Sequence, residues 1–418
     1  MRNLLNLPES SLSAVVGYVL SPRALGDSVR LGLVCKLFHT VLLKEIGDYL
    51  NILIIHHNLF VRVHPTLESY YRLISKRVYI VGGSESGQTC TCFNPEKGTF
   101  ETLPPLYGSR KAGLSVVSHR GLLFAFGGEE ISHSIEVFDV FNPNSFWKKV
   151  VDFPFDCNGA VGVSAGFDLY IFGSRIKAGY DINTVSTIYK LECKENHAVE
   201  GVYDLNFDLN RCPAQLLIPR SHCGATYYNN MIWLAGGKVG GELTSSNTVE
   251  IFDPHTQQCS EGPQMLRHRL NPHLVVIEST LYAVGGDIEE PFLHGVQSIE
   301  KYDAQKEAWV FVSFFLDPRK RIHCAVAAYD SKIFLFGGAY GTSIWHSWDF
   351  YDVHKHYWAS QLQHNLQDAE KVVRSFQSHH LLTDGDIHYL RNIQLISFGE
   401  RQEDIVHAQA VTYFLSPV

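Results

Sequence analysis

Basic side chains recur in this 418-residue chain at one phase of an internal repeat. Lys111, His222, Arg269 and Arg321 each stand just ahead of an apolar run, and Arg374 holds the matching place in a fainter copy. Arg220, Arg267 and Arg319 lie two residues earlier in three of the copies. Guanidinium groups bind carboxylates or phosphates through paired hydrogen bonds, so a fold that gathered these residues would create an anion-binding surface. The same arginines could instead pair with acids or carbonyls of the fold itself. Spacing alone leaves both roles open.

Other reactive residue types are present without the spacing that chemistry needs. Cys90-x-Cys92 falls on an expected strand, where positions i and i+2 share a face, but no further metal ligands can be assigned to it. His56-His57 and His379-His380 lack zinc-ligand spacing with any cysteine pair. The chain has no Gly-x-Ser-x-Gly elbow, no phosphate-cradling glycine loop leading into a helix and no His-Glu-x-x-His. No catalytic residue, metal or cofactor is therefore expected. Nine cysteines, an odd number without framework spacing, fit a reducing cytoplasmic or nuclear setting.

The elements that position these residues follow from the repeat. Stretches of about eighteen residues rise through two apolar runs and end at glycine pairs beginning at Gly82, Gly127, Gly236, Gly285 and Gly337, with a half-pair at Gly173. Within a copy, runs such as Val326–Tyr329 and Ile333–Phe336 flank a polar turn, Asp330-Ser331-Lys332, and read as paired antiparallel strands. A third run ends in an aromatic residue and an acid or amide: Phe93-Asn94, Phe252-Asp253, Tyr302-Asp303 and Tyr351-Asp352. Phe100, Cys259, Trp309 and Trp358 follow six residues later, and Trp147 follows Asp139. This gives four strands per unit, and a unit of this size must stack on its neighbours to bury its faces.

The glycine pair, aromatic–acid dyad and late tryptophan, repeated in phase over about 350 residues, resemble the kelch motif. The resemblance implies an all-β propeller over residues 66–418, with tryptophans filling the wedges between blades. It also places the loop carrying Lys111, Arg220, His222, Arg267, Arg269, Arg319 and Arg321 on the face where kelch propellers bind ligand peptides. Six copies are clear. A stretch from Arg374 matches the Arg321 copy in length but lacks the glycines, and is read as a degenerate seventh blade. The long interval between Gly173 and Gly236 suggests a surface-loop insertion near Lys190 to Arg211.

Residues 1–50 do not follow the repeat, and 51–65 read as a linker. Leu12, Val15, Val16, Val19 and Leu20 recur at helical spacing, Ser21-Pro22 ends that helix, and Leu25, Val29, Leu33, Leu37 and Val41 begin another series. Leu7-Pro8, Val19-Leu20 and Leu33-Val34-Cys35-Lys36-Leu37-Phe38 resemble an F-box, the helical module that docks on a Skp-type adaptor of cullin-based ubiquitin ligases. The resemblance implies adaptor contacts at Leu7, Pro8, Val19, Leu20, Leu33, Val34, Cys35 and Phe38. Gly17 departs from a good helix former.

The combined expectation is a substrate receptor of a Skp–cullin–F-box ligase, with the propeller binding an unidentified target protein. The alternative is a kelch scaffold for cytoskeletal or signalling proteins without a ligase. A net charge of −8 without a basic block argues against nucleic acid as the main partner. No apolar run approaches the length of a membrane span.

Overall fold

The computed structural model describes residues 77–360, apart from short connecting segments that include 196–204, 240–244, 289–293 and 316–321, together with Leu395–Ser397 and Gln409–Tyr413. The segment resembling an F-box, with its eight adaptor-contact residues Leu7, Pro8, Val19, Leu20, Leu33, Val34, Cys35 and Phe38, lies outside the described residues. So do Arg319 and Arg321.

Six antiparallel sheets radiate from one axis. Blade 2 is built from Leu114–His119, Leu122–Gly127, Ser134–Asp139 and Lys148–Asp152, counted from the axis outward. Blade 3 uses Val161–Ala165, Asp168–Phe172, Thr187–Glu195 and Leu205–Gln215; blade 4 uses Gly224–Tyr228, Met231–Ala235, Val249–Asp253 and Gln258–Gly262. Blade 5 comprises His273–Ile277, Thr280–Val284, Ser298–Asp303 and Ala308–Phe314. Blade 6 comprises Ala325–Tyr329, Lys332–Phe336, Trp348–Asp352 and Tyr357–Ser360, and Leu395–Ser397 adds a parallel strand to its outer edge.

Blade 1 closes the ring. Its three outer strands, Arg77–Val81, Cys90–Asn94 and Thr99–Thr102, come from the start of the described chain, and its inner strand is Gln409–Tyr413 from the end. The register runs from Arg77 opposite Tyr413 to Val81 opposite Gln409. The inner strands then touch in a closed circuit, blade 1 to blade 6 and back. The expected seventh blade is thus replaced by strand exchange. Six described sheets complete the circle, and the tail supplies a single missing strand rather than a unit of its own. The expected insertion near Lys190 to Arg211 is a correction as well: those residues pair as an extended hairpin, with Leu191 opposite Leu209 and Glu195 opposite Leu205.

The wedges between blades are apolar: one continuous cluster spans blades 1 to 3 and separate clusters fill the other four wedges, as expected of a stack in which every unit needs its neighbours. Trp309 is buried against Tyr228, Trp233 and Leu274 between blades 4 and 5, and its indole N–H donates to the Pro263 carbonyl at 2.9 Å. Trp358 fills the next wedge and donates to Ser313 Oγ at 3.1 Å. Phe93 of blade 1 packs edge-on against Phe334 and Phe336 of blade 6, which seals the junction between the two ends of the chain. Cys90 and Cys92 are both buried in the cluster that runs from blade 1 through blade 2, and burial pushes the Cys90 thiol up to about 12.

The glycine pairs mark a close approach between blades. At Gly236 an added Cβ would land on the Arg269 carbonyl of blade 5's entry loop, and at Gly237 on the Ser221 carbonyl of blade 4's own. Both glycines have positive φ, 68° and 85°. Only a residue without Cβ suits both the conformation and the contact.

Candidate functional site

The recurring arginines meet glutamates. Arg110, Arg220 and Arg269 are fully buried, and each pairs with a glutamate on the third strand of the blade it introduces. Arg110 Nε donates to Glu136 at 2.9 Å, Arg220 Nη2 to Glu250 at 2.8 Å and Arg269 Nη2 to Glu300 at 2.8 Å. Further guanidinium hydrogens go to carbonyls at the end of the second strand, Gly127, Gly236 and Gly285, and to neighbours such as Ser134 and Ser298, while Arg220 Nε and Arg269 Nε find no acceptor among the described residues. Desolvation presses Arg269 below its ordinary value and Glu300 opposes the shift.

Each glutamate has a second task. Its carboxylate also accepts the backbone N–H of the residue three positions before the arginine: Tyr107 at 2.7 Å, Leu217 at 2.5 Å and Leu266 at 2.8 Å. One buried ion pair thereby ties three pieces of chain, namely the entry loop, the glycine turn and the third strand. Engaging both oxygens of each carboxylate in this way offsets part of the desolvation cost of a buried ion pair.

Of the two roles open to Arg220 and Arg269, binding a ligand or pairing within the fold, the structure shows the second and takes them off the ligand-facing ring. Both guanidinium groups are enclosed, and the equivalent of Arg220 and Arg269 in blade 2 is Arg110 rather than Lys111. Lys111 is half-buried beside it. Arg267, also half-buried, lies over the Phe314 ring at 5.8 Å and is not equivalent to Arg220. The glutamates that decide this were legible in the sequence: Glu136, Glu250 and Glu300 each stand three residues before the acid of the aromatic–acid dyad or its counterpart Asp139.

His222 does face the axis. The six inner strands surround a channel of about 890 Å³, whose lining includes His222, Arg175, Lys238, Asn271, Asp287 and His323. Two interlocking sets of residues form its mouth. The first comprises Gly113, Gly159, His222, Asn271 and His323, all with left-handed φ. They link successive blades: Gly159 N–H donates to the Gly113 carbonyl at 3.1 Å, His222 N–H to Gly159 at 2.7 Å and Asn271 N–H to His222 at 2.8 Å. A Cβ on Gly159 would fall inside the His222 imidazole, so the ring lies flat on a bare backbone.

The second set is the residue that follows each glycine pair or half-pair. It reads Glu129, Arg175, Lys238, Asp287 and Ala339 through blades 2 to 6. Backbone pairing fixes their places: Arg175 bridges Asn158, Lys238 pairs with Ser221, and Asp287 bridges Leu270. His222 therefore sits between two cations, one reached through Gly159 and Asn158 and the other through Ser221. Its Nδ1 lies 3.2 Å from Ser221 Oγ. Burial first, then the fields of Arg175, Lys238 and His323, push His222 down to about 3, so it is neutral at physiological pH. The Arg175 guanidinium makes no ion pair or hydrogen bond among the described residues, while Asp287 is held 3.3 Å from His323 Nδ1. Sequence reasoning missed Arg175 and Lys238. Their signal was the position after the glycines, which changes charge from copy to copy.

Among the described residues no group of three His, Cys, Asp or Glu side chains is placed to hold a metal, and no helix is long and apolar enough to cross a membrane.

Comparison with known proteins agrees with this architecture. Residues 219–266 match the Kelch motif. Alpha-scruin of Limulus polyphemus is 28% identical over 125 residues, covering 29% of this chain and 13% of that protein. Kelch-like protein 7 of Rattus norvegicus is 32% identical over 106 residues, covering 25% of this chain and 17% of its own length. Human Kelch repeat and BTB domain-containing protein 8 is 28% identical over 137 residues, 31% of this chain and 21% of the relative. The chain thus aligns with only a minor part of each of these relatives. Among solved structures, one described as the structure of YjhT superposes with a TM-score of 0.50 at 11% identity, covering 60% of this chain and 84% of that one, which supports the fold alone.

Proposed function

We propose that this protein is a substrate receptor of a Skp–cullin–F-box ubiquitin ligase, with the channel mouth holding the target and the N-terminal segment holding the adaptor. One observation supports the reading: the described chain begins, at Arg77, on the face of the ring opposite the channel mouth. The second strands of all blades run toward the glycine turns, so Gly82-Gly83 lies on the face that presents Arg175 and Lys238. Arg77, where the chain enters the same strand, lies on the other face, roughly 13 Å away along a five-residue strand.

A receptor of this kind contributes effective concentration, holding a target near the transferring enzyme, and needs no catalytic residue of its own. The kelch match and kelch-named relatives support a protein-binding propeller; the ligase association rests on the F-box resemblance of residues 7–46. Co-purification tests it. The full chain is expected to bring down a Skp-type adaptor and cullin, and the double variant Leu33→Ala/Phe38→Ala to lose both while its melting temperature is unchanged. Undiminished adaptor capture by the folded double variant, or none by the native chain, would return the protein to the scaffold reading.

A further inference from the structure

We propose that blades 3 and 4 form a docking patch for an amphipathic protein segment, whose acidic side chains face the channel and whose apolar side chains face the rim. The proposal rests on the channel face being a protein-binding surface, and adds the chemistry of the segment it takes.

Exposed apolar side chains are not scattered here. Of the five large ones among the described residues, Tyr107, Leu217 and Leu266 occupy one equivalent position, with exposures of 72%, 52% and 57%. These are the residues whose backbone N–H is fixed by the carboxylates of Glu136, Glu250 and Glu300. The clamp uses only the amide, so it places no demand on the side chain, yet it holds that side chain rigidly outward. A fixed apolar knob loses little freedom on binding.

The two leucines line up with the two cations. On blade 3, Arg175 pairs with Thr184 across a short hairpin, and the Thr184 hydroxyl donates to the Pro219 carbonyl at 3.3 Å, beside Leu217. On blade 4, Lys238 bridges Ser245, Arg269 N–H donates to the Ser246 carbonyl at 2.9 Å, and Met265 N–H donates to the Asn247 carbonyl at 2.9 Å, beside Leu266. Adjacent spokes therefore repeat one order from axis to rim, cation and then leucine. Glu129 and Asp287, at the matching inner places of blades 2 and 5, confine the cationic sector to these two spokes. Charge complementarity selects acidic residues over the Arg175 guanidinium, with the buried Lys238 adding only its field, and the leucines select apolar residues beside them.

The probe is a fluorescein-labelled helical peptide with a leucine stripe beside a glutamate stripe. One control has its leucines changed to alanine, and the other has its glutamates changed to lysine. Anisotropy titrations with the full chain should show the first binding at least about tenfold more tightly than either control. Leu217→Ser/Leu266→Ser should lower that affinity about tenfold, to the level of the alanine control, with melting temperature unchanged. Arg175→Gln/Lys238→Gln should weaken it comparably and reduce its salt dependence; if the largely buried Lys238 change impairs folding, Arg175→Gln alone carries this arm. Equal binding of the alanine control, indifference to the leucine changes, or capture by phosphatidylserine vesicles in preference to the peptide would overturn the proposal. Failure of peptide discrimination with adaptor capture intact would remove the docking patch alone; the reverse pattern would remove only the ligase assignment.

Discussion

In blade 4 the loop entering the inner strand is anchored by Arg220 clamped to Glu250; in blade 3, beside it, the same two positions are Cys157 and Tyr189. The equivalence follows from register, since Leu234 lies opposite Glu250 and Ile171 opposite Tyr189. Blade 3 secures its loop without charge. Asn158 Nδ2 donates to the Gly128 carbonyl at 3.2 Å, Arg175 N–H donates to the Asn158 carbonyl at 2.8 Å, and Tyr189 packs on Phe153 and Phe155. The buried Cys157 thiol is pushed up to about 12 by desolvation and acts as a neutral filler. In blades 2 to 5, arginine and glutamate are thus both present or both absent, because either alone would be an uncompensated buried charge.

The comparison presumes that every blade is held in a closed ring, and the most damaging test removes that closure. Truncation after Ser360 deletes Gln409–Tyr413 and leaves Arg77–Val81 without its inner neighbour. The product is expected to lose its cooperative melting transition and aggregate, because all wedges depend on the circuit. A truncated chain that melts cooperatively at the native temperature would show that blade 1 closes by another route.

Within the closed ring, blades 4 and 3 should differ sharply on substitution. Glu250→Ala strands a buried guanidinium and should cost about 3–5 kcal/mol. Cys157→Ala removes only a small neutral group and should cost about 1 kcal/mol. Urea unfolding of both variants checks this; equal losses would mean that the clamp contributes no more than packing.

A smaller effect comes from histidines that the clamped blades 2, 4 and 5 hold in the neutral form. Burial lowers His119 and His273 to about 4, and His222 to about 3. Their values in the folded protein lie below the unfolded value of about 6.5, so the unfolded chain takes up protons first as pH falls. The stability is therefore fully present above about pH 6.5 and is lost progressively as pH drops toward 4, by about 1–2 kcal/mol per histidine at pH 5. His273→Gln should flatten the difference between urea midpoints at pH 7.5 and pH 5 by one such share. An unchanged pH dependence would place His273 outside this group.

Much of the fold was legible because its marks are local. Glycine pairs, aromatic–acid dyads and late aromatics each serve a turn or a wedge within one copy, and Trp309 and Trp358 lie buried where the repeat places them. The seventh blade was misread for the complementary reason. Gln409–Tyr413 carries no repeat signature, since an inner strand needs only to pair with Arg77–Val81, and nothing local announces a partner more than three hundred residues away.

The basic residues divide along the same line. Their recurrence at one phase of the repeat is a property of the sequence, and so is the recurrence of glutamates in the copies that have them. Whether a guanidinium reaches solvent or a carboxylate is decided only when strands some thirty residues apart are laid side by side. That juxtaposition enclosed Arg110, Arg220 and Arg269 and brought Arg175 and Lys238 to the channel mouth, one register beyond. The chain by itself determined that a propeller forms and which positions are equivalent. Tertiary structure determined which equivalent charges are neutralised inside and which line the channel mouth, because the cost of burying a charge depends on neighbours that only the folded ring supplies.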